Sequence, residues 1–317
     1  MKATLMDGKA LAEEIKARIK DEVSLMKNKG IEPSLVTILV GDNPASKIYL
    51  RSKHRACGDV GIRSRNVEVP ESISSKELSV MVAELNEDDA VHGILVQMPL
   101  PDHIDSFSVI CSLRPEKDVD GLHPWNMGSI SYKMDELVPC TPKGILALLT
   151  KYKIGIAGKH VVVINRSTLV GRPISSLLRN KDNPPVSSLG MDMLFLNQDA
   201  TVTTCHSKTV DLLRYINDAD ILITAVGTRP EFIITDKMVK NDSVIIDVAM
   251  NRVDGKLCGD VDYERVIEKV AYLTPVPGGV GPMTVAMLLH NTIIAASKVS
   301  GYAMSYNTEE MLSSIGV

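Results

Sequence analysis

The sequence predicts an α/β protein of two domains. Its 317 residues are about twice the length of a typical domain. Short apolar runs alternate with amphipathic helical patterns in both halves, which is typical of parallel sheets covered by helices. A long stretch rich in Pro, Gly and Asp, from Arg114 to Cys140, interrupts this alternation and is predicted to be irregular. We therefore expect one domain over residues 1–149 and a second over residues 150–282.

The N-terminal segment is interpreted as a first strand followed by an amphipathic helix. Apolar residues recur every four positions between Leu11 and Met26, with charged residues between them. The elements expected after it are a strand over Leu35–Val40, a helix over Ser46–Gly58, a strand over Asn66–Val69, a helix over Ser75–Leu85 and a strand over Gly93–Gln97. This β-α-β-α-β order predicts a parallel sheet.

The second domain has the pattern of a Rossmann-type nucleotide-binding fold. A helix near residues 143–151 leads into a strand over His160–Ile164, a helix over Gly171–Arg179, a strand over Thr201–Cys205, a helix over Val210–Asn217, and strands over Ile221–Val226 and Ser243–Val248. Residues 181–198 exceed the usual loop length and predict an inserted surface loop. An apolar helix from Met283 is expected to return to the first domain and complete it with residues 283–317.

Composition and charge exclude several classes of protein. The formal net charge of −4 offers no excess positive field for nucleic acid, so no nucleic-acid partner is expected. No run approaches the roughly 18 apolar residues of a membrane span. The five cysteines lie far apart and the N-terminus lacks an apolar signal core, which indicates a cytoplasmic protein. Histidine spacing matches no metal motif, so no metal site is expected.

The segment INRSTLVGRP, Ile164–Pro173, stands where a phosphate-binding turn belongs, between a strand and a helix. The glycine positions of the G-x-G-x-x-G pattern are occupied by Asn165, Ser167 and Val170, so an ordinary strand–helix turn is the alternative. Asn165 suits a tight turn because Asn tolerates the left-handed conformation, and we include it among the cofactor-binding candidates. The second strand ends without an acidic residue, and Arg166, Ser167 and Ser207 could together hold a 2′-phosphate, which favours NADP over NAD.

Other candidates come from the first domain and from the segment before the last helix. Tyr49 and Lys53 share one helix face, and a partly desolvated lysine can act as a general acid or base, although a surface pair is the alternative. Gln97 ends a strand, where ligands of parallel sheets bind. The long loop carries Asp120, for which an ordinary turn is the alternative. The PGGVGPMT segment, Pro277–Thr284, allows close backbone approach to a ligand, or is a simple hinge.

Seven segments in order resemble one family closely. They are YLRSK (Tyr49–Lys53), VQMPLP (Val96–Pro101), PEKDVDGLHPWN (Pro115–Asn126), PCTPKG (Pro139–Gly144), NRSTLVGRP (Asn165–Pro173), TVTTCHSKT (Thr201–Thr209) and PVPGGVGPMTVAMLL (Pro275–Leu289). Together they resemble the bifunctional methylenetetrahydrofolate dehydrogenase/methenyltetrahydrofolate cyclohydrolase family over nearly the whole chain.

This resemblance implies oxidation of methylenetetrahydrofolate by NADP, followed by hydrolysis of the methenyl product to formyltetrahydrofolate. Both steps would use one active-site cleft between the two domains of a homodimer joined through the nucleotide domain. Lys53 would be the general acid/base, Gln97 would tune it, Tyr49 would stack on the folate and Asp120 would bind the pterin. Pro277 and Gly278 would line the folate pocket. The residues implied to hold NADP are Thr141, Arg166, Ser167, Ser207, Gly281 and Thr284.

Two positions depart from the family pattern. Asn165 and Ala249 stand where Gly is usual, so a dehydrogenase without cyclohydrolase activity, using NAD or NADP, is the first alternative. A non-catalytic folate- or nucleotide-binding regulator is the second. Retention of Lys53 and Gln97 favours the bifunctional enzyme, because a binding module has no need of a proton-transfer pair. A short-chain reductase is disfavoured because its Tyr-x-x-x-Lys pair follows its nucleotide fold, whereas here the pair precedes it.

Overall fold

A computed structural model describes residues 2–132, 137–180 and 199–305. Among these, the residues up to Glu13 and those from Thr141 to Thr284 form one compact unit, and the residues from Glu14 to Cys140 with those from Val285 onward form another. The predicted insertion over 181–198 lies outside the described residues. We name the two units by their sheets, which have six and three strands.

The three-stranded unit has a parallel sheet made of β2 (Ser34–Val40), β3 (Arg63–Val69) and β4 (Gly93–Val96), in the order β3-β2-β4. All seven residues of β2 are buried, as expected for an apolar central strand. The helices of the first half of the chain are α1 (Gly8–Asn28), α2 (Pro44–Val60), α3 (Ser75–Glu87), α4 (Ser106–Ser112) and α5 (Pro124–Tyr132). The predicted β-α-β-α-β order is confirmed.

The stretch from Arg114 to Cys140 is not irregular throughout, and in this respect the prediction is wrong. It contains a short 3-10 turn over Pro115–Lys117 and the helix α5. Pro124 stands at the first helical position, where its missing N–H costs nothing, and Ile130 is buried on the inner face. The helix was missed because its sequence, PWNMGSISY, has almost no amphipathic period.

The six-stranded unit has a wholly parallel sheet in the order β1-β11-β8-β7-β5-β6. Its strands are β1 (Thr4–Leu5), β5 (His160–Ile164), β6 (Thr201–Cys205), β7 (Ile221–Thr224), β8 (Val244–Asp247) and β11 (Tyr272–Leu273), with a hairpin of β9 (Asn251–Val253) and β10 (Lys256–Cys258). The remaining helices are α6 (Cys140–Lys151), α7 (Gly171–Arg179), α8 (Leu212–Asp218), α9 (Tyr263–Val266) and α10 (Val280–Ser300). Because β6 and β7 lie on opposite sides of β5, the chain changes direction there, and ligands of such sheets bind at that edge.

The two units differ from the predicted 1–149 and 150–282 bounds in two places, because residues 141–149 and the residues up to Glu13 both group with the six-stranded unit. Strand β1 pairs with β11, so the first residues group with the six-stranded unit. Helix α10 is long and apolar enough to span a membrane, but 72% of its most apolar window is buried, as in a core helix. From Val285 it groups with the three-stranded unit, where Asn291 Nδ2 donates to the carbonyls of Val119 and Val138 at 2.9 Å each.

Candidate active site

Lys53 and Gln97 form a hydrogen-bonded pair in the three-stranded unit. Lys53 lies on α2, and Gln97 follows β4 directly. The Lys53 Nζ atom donates to Gln97 Oε1 at 3.2 Å. The Gln97 amide nitrogen donates in turn to the Met98 carbonyl at 2.7 Å, which leaves the amide oxygen facing the lysine. Lys53 therefore donates to a neutral acceptor, the Gln97 amide oxygen, and the hydrogen bond to Met98 fixes the orientation of that amide.

Tyr49 lies one helical turn before Lys53 on α2 and is 40% exposed. Residues four apart on a helix project from the same face, so the phenol ring and the ammonium group share one side of α2. Partial burial raises the pKa of the Tyr49 phenol. The pair can offer a flat apolar ring beside a proton-holding group.

A second polar network connects α2 to the sheet and was missed from the sequence. Thr37, fully buried in β2, accepts from His54 Nε2 at 2.9 Å and donates its hydroxyl to Asn66 Oδ1 at 2.9 Å. Burial, with the nearby charge of Lys53, lowers the pKa of His54 and favours its neutral form. The available signal was one polar residue inside the apolar run LVTILV, because a buried hydroxyl needs a partner.

Asp120 lies in a loop beside β4 and is partly buried. Its neighbour Asp118 forms a parallel bridge to Ile94 and accepts from the His123 backbone N–H at 2.7 Å. Burial raises the pKa of the Asp118 carboxyl to about 6, against the hydrogen bonds that favour its charged form. Gly121 has φ of +73°, and a Cβ there would lie 2.5 Å from the Leu137 carbonyl oxygen, so the turn after Asp120 requires glycine.

Lys117 fastens this loop to the end of α3. Its side chain is 2% exposed, and Nζ donates to the carbonyls of Leu85 at 3.2 Å and Asp88 at 2.8 Å. Leu85 lies in the last turn of α3 and Asp88 is its C-cap, and carbonyl groups at the end of a helix have no N–H donor within that helix. Burial, with the charge of Arg114, lowers the pKa of Lys117. Nothing in the sequence distinguished this lysine from a solvated one.

The same loop has a further anchor on α3. Asn86 donates its amide to the Ser112 carbonyl at 2.7 Å and accepts from the Arg114 backbone N–H at 3.0 Å. Together with Lys117 it determines where the chain enters the Asp118–Gly121 turn. The position of Asp120 is therefore set by α3 as well as by β4.

The turn after β5 is closed by the side chain of Asn165. Its Oδ1 accepts from the backbone N–H groups of Ser167 at 2.7 Å and Gly171 at 3.0 Å, and its Nδ2 donates to the Ala225 carbonyl at 2.7 Å. Ser167 Oγ accepts from the Val170 N–H at 3.1 Å. These N–H groups are engaged within the turn, which differs from the expectation that the start of α7 presents them to an anion. The φ angle of Asn165 is not positive, so the left-handed conformation considered for it is not adopted.

The cofactor candidates around this turn lie at the carboxyl edge of the six-stranded sheet. The register pairs Ile164 of β5 with Cys205 of β6, so the segments carrying Arg166 and Ser207 leave the sheet side by side. Arg166 and Ser207 are exposed, and Ser167 is half-buried. A cationic group and two hydroxyls at this edge, with no acid among residues 205–209, fit a 2′-phosphate.

The other candidates of this unit lie around the starts of α6 and α10. The hydroxyls of Thr141 and Thr284 are hydrogen-bonded at 2.9 Å. Gly281 is exposed in the first turn of α10. Pro277 is exposed and Gly278, with φ of +110°, is half-buried, in the segment between β11 and α10.

A cavity of about 220 Å³ in the six-stranded unit is lined by none of the predicted site residues. One of its walls is Asp247, whose carboxylate accepts backbone N–H groups of Val261, Asp260 and Ala249. Burial raises the pKa of Asp247 to about 7. No group of three metal-ligating side chains occurs among the described residues.

Residues 6–120 match the family model of the tetrahydrofolate dehydrogenase/cyclohydrolase catalytic domain, and residues 139–300 match that of its NAD(P)-binding domain. The chain belongs to this family. It is 48% identical to the bifunctional protein FolD of Nitrosopumilus maritimus over 94% of this chain and 98% of the relative. The family resemblance and the two-domain α/β fold predicted from the sequence are confirmed.

Solved structures of the tetrahydrofolate dehydrogenase/cyclohydrolase family share the fold. The bifunctional FolD dehydrogenase/cyclohydrolase of Campylobacter jejuni is 45% identical, with a TM-score of 0.85 over 93% of this chain and 99% of its own. The Trypanosoma brucei enzyme, solved with NADP and an inhibitor, is 35% identical, with a TM-score of 0.85 over 96% of this chain and all of its own.

Proposed function

We propose that this chain oxidises 5,10-methylenetetrahydrofolate to 5,10-methenyltetrahydrofolate with NADP and hydrolyses the product to 10-formyltetrahydrofolate. Membership of the family supports both activities. The observation that carries the second activity is the hydrogen bond of 3.2 Å between Lys53 Nζ and Gln97 Oε1. An oxidation alone has no need of this proton-holding pair.

The oxidation needs positioning more than acid–base chemistry. Bound NADP would supply the acceptor for the hydride of the methylene carbon. The two nitrogens flanking that carbon share the resulting positive charge, so no strong base is required. In our proposal the chain contributes the Tyr49 ring as a stacking surface, Asp120 as a hydrogen-bond acceptor for the pterin, and Pro277 and Gly278 as the wall of the folate pocket.

The hydrolysis requires a proton to move. The oxygen of a water molecule bonds to the methenyl carbon and loses a proton, and the bond from that carbon to N5 breaks, which leaves the formyl group on N10. We assign Lys53 as the group that takes a proton and returns one to N5, with one proton released overall. Gln97 holds the lysine amine towards the reacting carbon through its fixed amide oxygen.

We assign the cofactor-binding role to the carboxyl edge of the six-stranded sheet. Arg166, Ser167 and Ser207 would hold the 2′-phosphate, while Thr141, Gly281 and Thr284 would contact the rest of the nucleotide. Asn165 would act through the turn it closes, because its amide oxygen already accepts two backbone N–H groups.

Substitution of Arg166 tests the choice of cofactor. Arg166→Ala should weaken NADP binding more than NAD binding, because a charge-assisted phosphate contact contributes roughly 1.5–3 kcal/mol, or about 10- to 150-fold. Dissociation constants from quenching of protein fluorescence measure both cofactors. Arg252→Ala, which removes an exposed arginine on β9, is the matched control. Equal losses of affinity for NADP and NAD would contradict the assignment of Arg166 to the 2′-phosphate.

We also propose that the enzyme is a cytoplasmic homodimer joined through the six-stranded unit. Val210 and Leu213, close in sequence to the edge strand β6, are 84% and 49% exposed, which supports a partner on that side. Light scattering on the purified protein measures its mass, and a monomer at micromolar concentration would contradict the dimer.

A spectrophotometric assay tests the proposed function directly. The purified protein is mixed with methylenetetrahydrofolate and either NADP or NAD, and nucleotide reduction is followed together with methenyl absorbance. We expect NADP reduction without accumulation of the methenyl product, and decay of methenyltetrahydrofolate added alone. Persistent methenyl absorbance would indicate a dehydrogenase without cyclohydrolase activity. Absence of reduction with either cofactor would contradict the proposal that the chain is an enzyme.

A further inference from the structure

The segment after β11, which carries Pro277 and Gly278, runs beside the first residues of the chain. Strand β1 pairs in parallel with β11, matching Thr4 with Tyr272 and Leu5 with Leu273. The pairing continues as the Met6 N–H donates to the Leu273 carbonyl at 2.9 Å. The N-terminus therefore follows this strand to the point where the folate-pocket segment begins.

The first turn of α1 holds the carbonyl group of Gly278. The first N–H groups of any helix have no acceptor within it. Here the Lys9 N–H donates to the Gly278 oxygen at 2.9 Å, and the Ala10 N–H donates to Asp7 Oδ1 at 2.9 Å. The Asp7 N–H donates to the hydroxyl oxygen of Tyr152, the residue that follows α6, at 2.7 Å, which anchors the turn there. The direction of the Gly278 carbonyl thus depends on α1.

Gly8 is the contact that makes this arrangement possible. A Cβ at position 8 would lie 1.9 Å from the Gly279 carbonyl oxygen and 2.7 Å from its carbon, far inside any real contact distance. Gly279 is enclosed on its other side, since a Cβ there would lie 2.6 Å from the Pro275 oxygen. Both atoms that the added Cβ would meet are backbone atoms of Gly279, so no flexible side chain could move aside to admit it.

We propose that Gly8 is a positioning residue for the folate substrate. Its missing side chain lets the first turn of α1 lie against Gly279, and the Lys9 N–H then fixes Gly278 and Pro277 in the geometry that receives the folate. This inference rests on the proposed function, in which Pro277 and Gly278 line the folate pocket. Neither residue of the Gly8–Gly279 contact is expected to take part in the chemistry itself.

The matched pair Gly8→Ala and Gly155→Ala tests the proposal. Both substitutions add one methyl group in the six-stranded unit, but at Gly155 no heavy atom lies within 4 Å of the added Cβ, and φ is not positive. A misplacement of about 1 Å can cost on the order of 100-fold in rate. For Gly8→Ala we expect the KM for methylenetetrahydrofolate to rise at least about tenfold while the NADP dissociation constant changes less than about threefold.

The kinetic constants separate positioning from general damage. Partial unfolding would lower kcat by reducing the active fraction and leave KM unchanged, whereas a displaced pocket raises KM. A folded Gly8→Ala protein whose folate KM lies within about twofold of the wild-type value would overturn the proposal. Gly155→Ala should match the wild type in every constant. Absence of turnover in the wild type would instead count against the proposed function.

Hydrogen exchange on the wild-type protein provides a second test, which does not depend on whether Gly8→Ala folds. Exchange is measured by mass spectrometry with and without 10-formyltetrahydrofolate. We expect the ligand to slow exchange in two peptides together, residues 5–10 and residues 275–280, because the Lys9 N–H and the Gly278 carbonyl are bonded. Slower exchange in residues 275–280 alone, or in neither peptide, would overturn the proposal.

Discussion

Replacement of Lys117 by Met removes the ammonium that fastens the Asp120 loop to α3. Met retains most of the aliphatic length, so the change deletes two N–H···O=C bonds, at 3.2 Å to Leu85 and 2.8 Å to Asp88, from a side chain that is 2% exposed. Each bond to a charged group contributes about 1.5–3 kcal/mol. The deletion also relieves the unfavourable burial of the charge, which is the main reason that the pKa of Lys117 is lowered.

The balance of these effects predicts a loss of about 2–3 kcal/mol in the free energy of unfolding of the three-stranded unit. Trp125, the single tryptophan, lies on α5 in that unit, so its fluorescence during urea unfolding reports the change. Because the loop carries Asp120, we also expect a higher KM for the folate substrate.

The control is Lys76→Met, which removes an exposed ammonium from the first turn of the same helix, α3. It should change the unfolding free energy by less than about 0.5 kcal/mol. If Lys117→Met proved as stable as Lys76→Met, with the wild-type folate KM, the bonds of Lys117 to α3 would not position the loop.

Two further predictions concern buried polar groups. Burial raises the pKa of Asp247 to about 7 from an ordinary value of 3.8, so the folded state favours the neutral acid, and the stability this provides is lost as the pH rises from about 4 to about 7. The difference in thermal midpoint between the wild type and Asp247→Asn should change across that range, and a constant difference would contradict the raised pKa. Thr37→Val leaves His54 and Asn66 without their shared partner and should cost about 1–3 kcal/mol in urea unfolding. Loss of less than about 0.5 kcal/mol would show that the network is not stabilising.

The sequence predicted the bounds of helices and strands best where a residue that disfavours the element follows an apolar run. The predicted bounds of β5, α7 and β6 agree with the structure residue for residue. By contrast, the first strand was expected as part of the first domain, but β1 belongs to the six-stranded sheet, because it pairs with β11, which lies far away in the sequence. A pairing of this kind is decided by tertiary contacts that no local pattern contains.

In the candidate site too, local patterns predicted some residues, whereas the contacts between them depend on the tertiary structure. Helix spacing and strand ends selected Lys53 and Gln97 separately, but only the fold brings together residues 44 positions apart. Lys117 was missed because its acceptors are backbone carbonyls, which leave no trace in the residue types. Asn165 was selected for its backbone freedom, whereas its side chain is what closes the turn. Side-chain to backbone bonds therefore account for most of what the sequence did not reveal.

We assign proton transfer in the hydrolysis to Lys53, and Lys53→Met tests this assignment most directly. The rate of methenyltetrahydrofolate hydrolysis and the dissociation constant for tetrahydrofolate are measured on the same protein, with Lys20→Met, an exposed lysine of α1, as control. Loss of a general acid/base costs typically 100-fold or more, so we predict at least about a 100-fold slower hydrolysis with folate binding retained within about tenfold. An unchanged hydrolysis rate, or hydrolysis and folate binding lost together, would contradict the assignment.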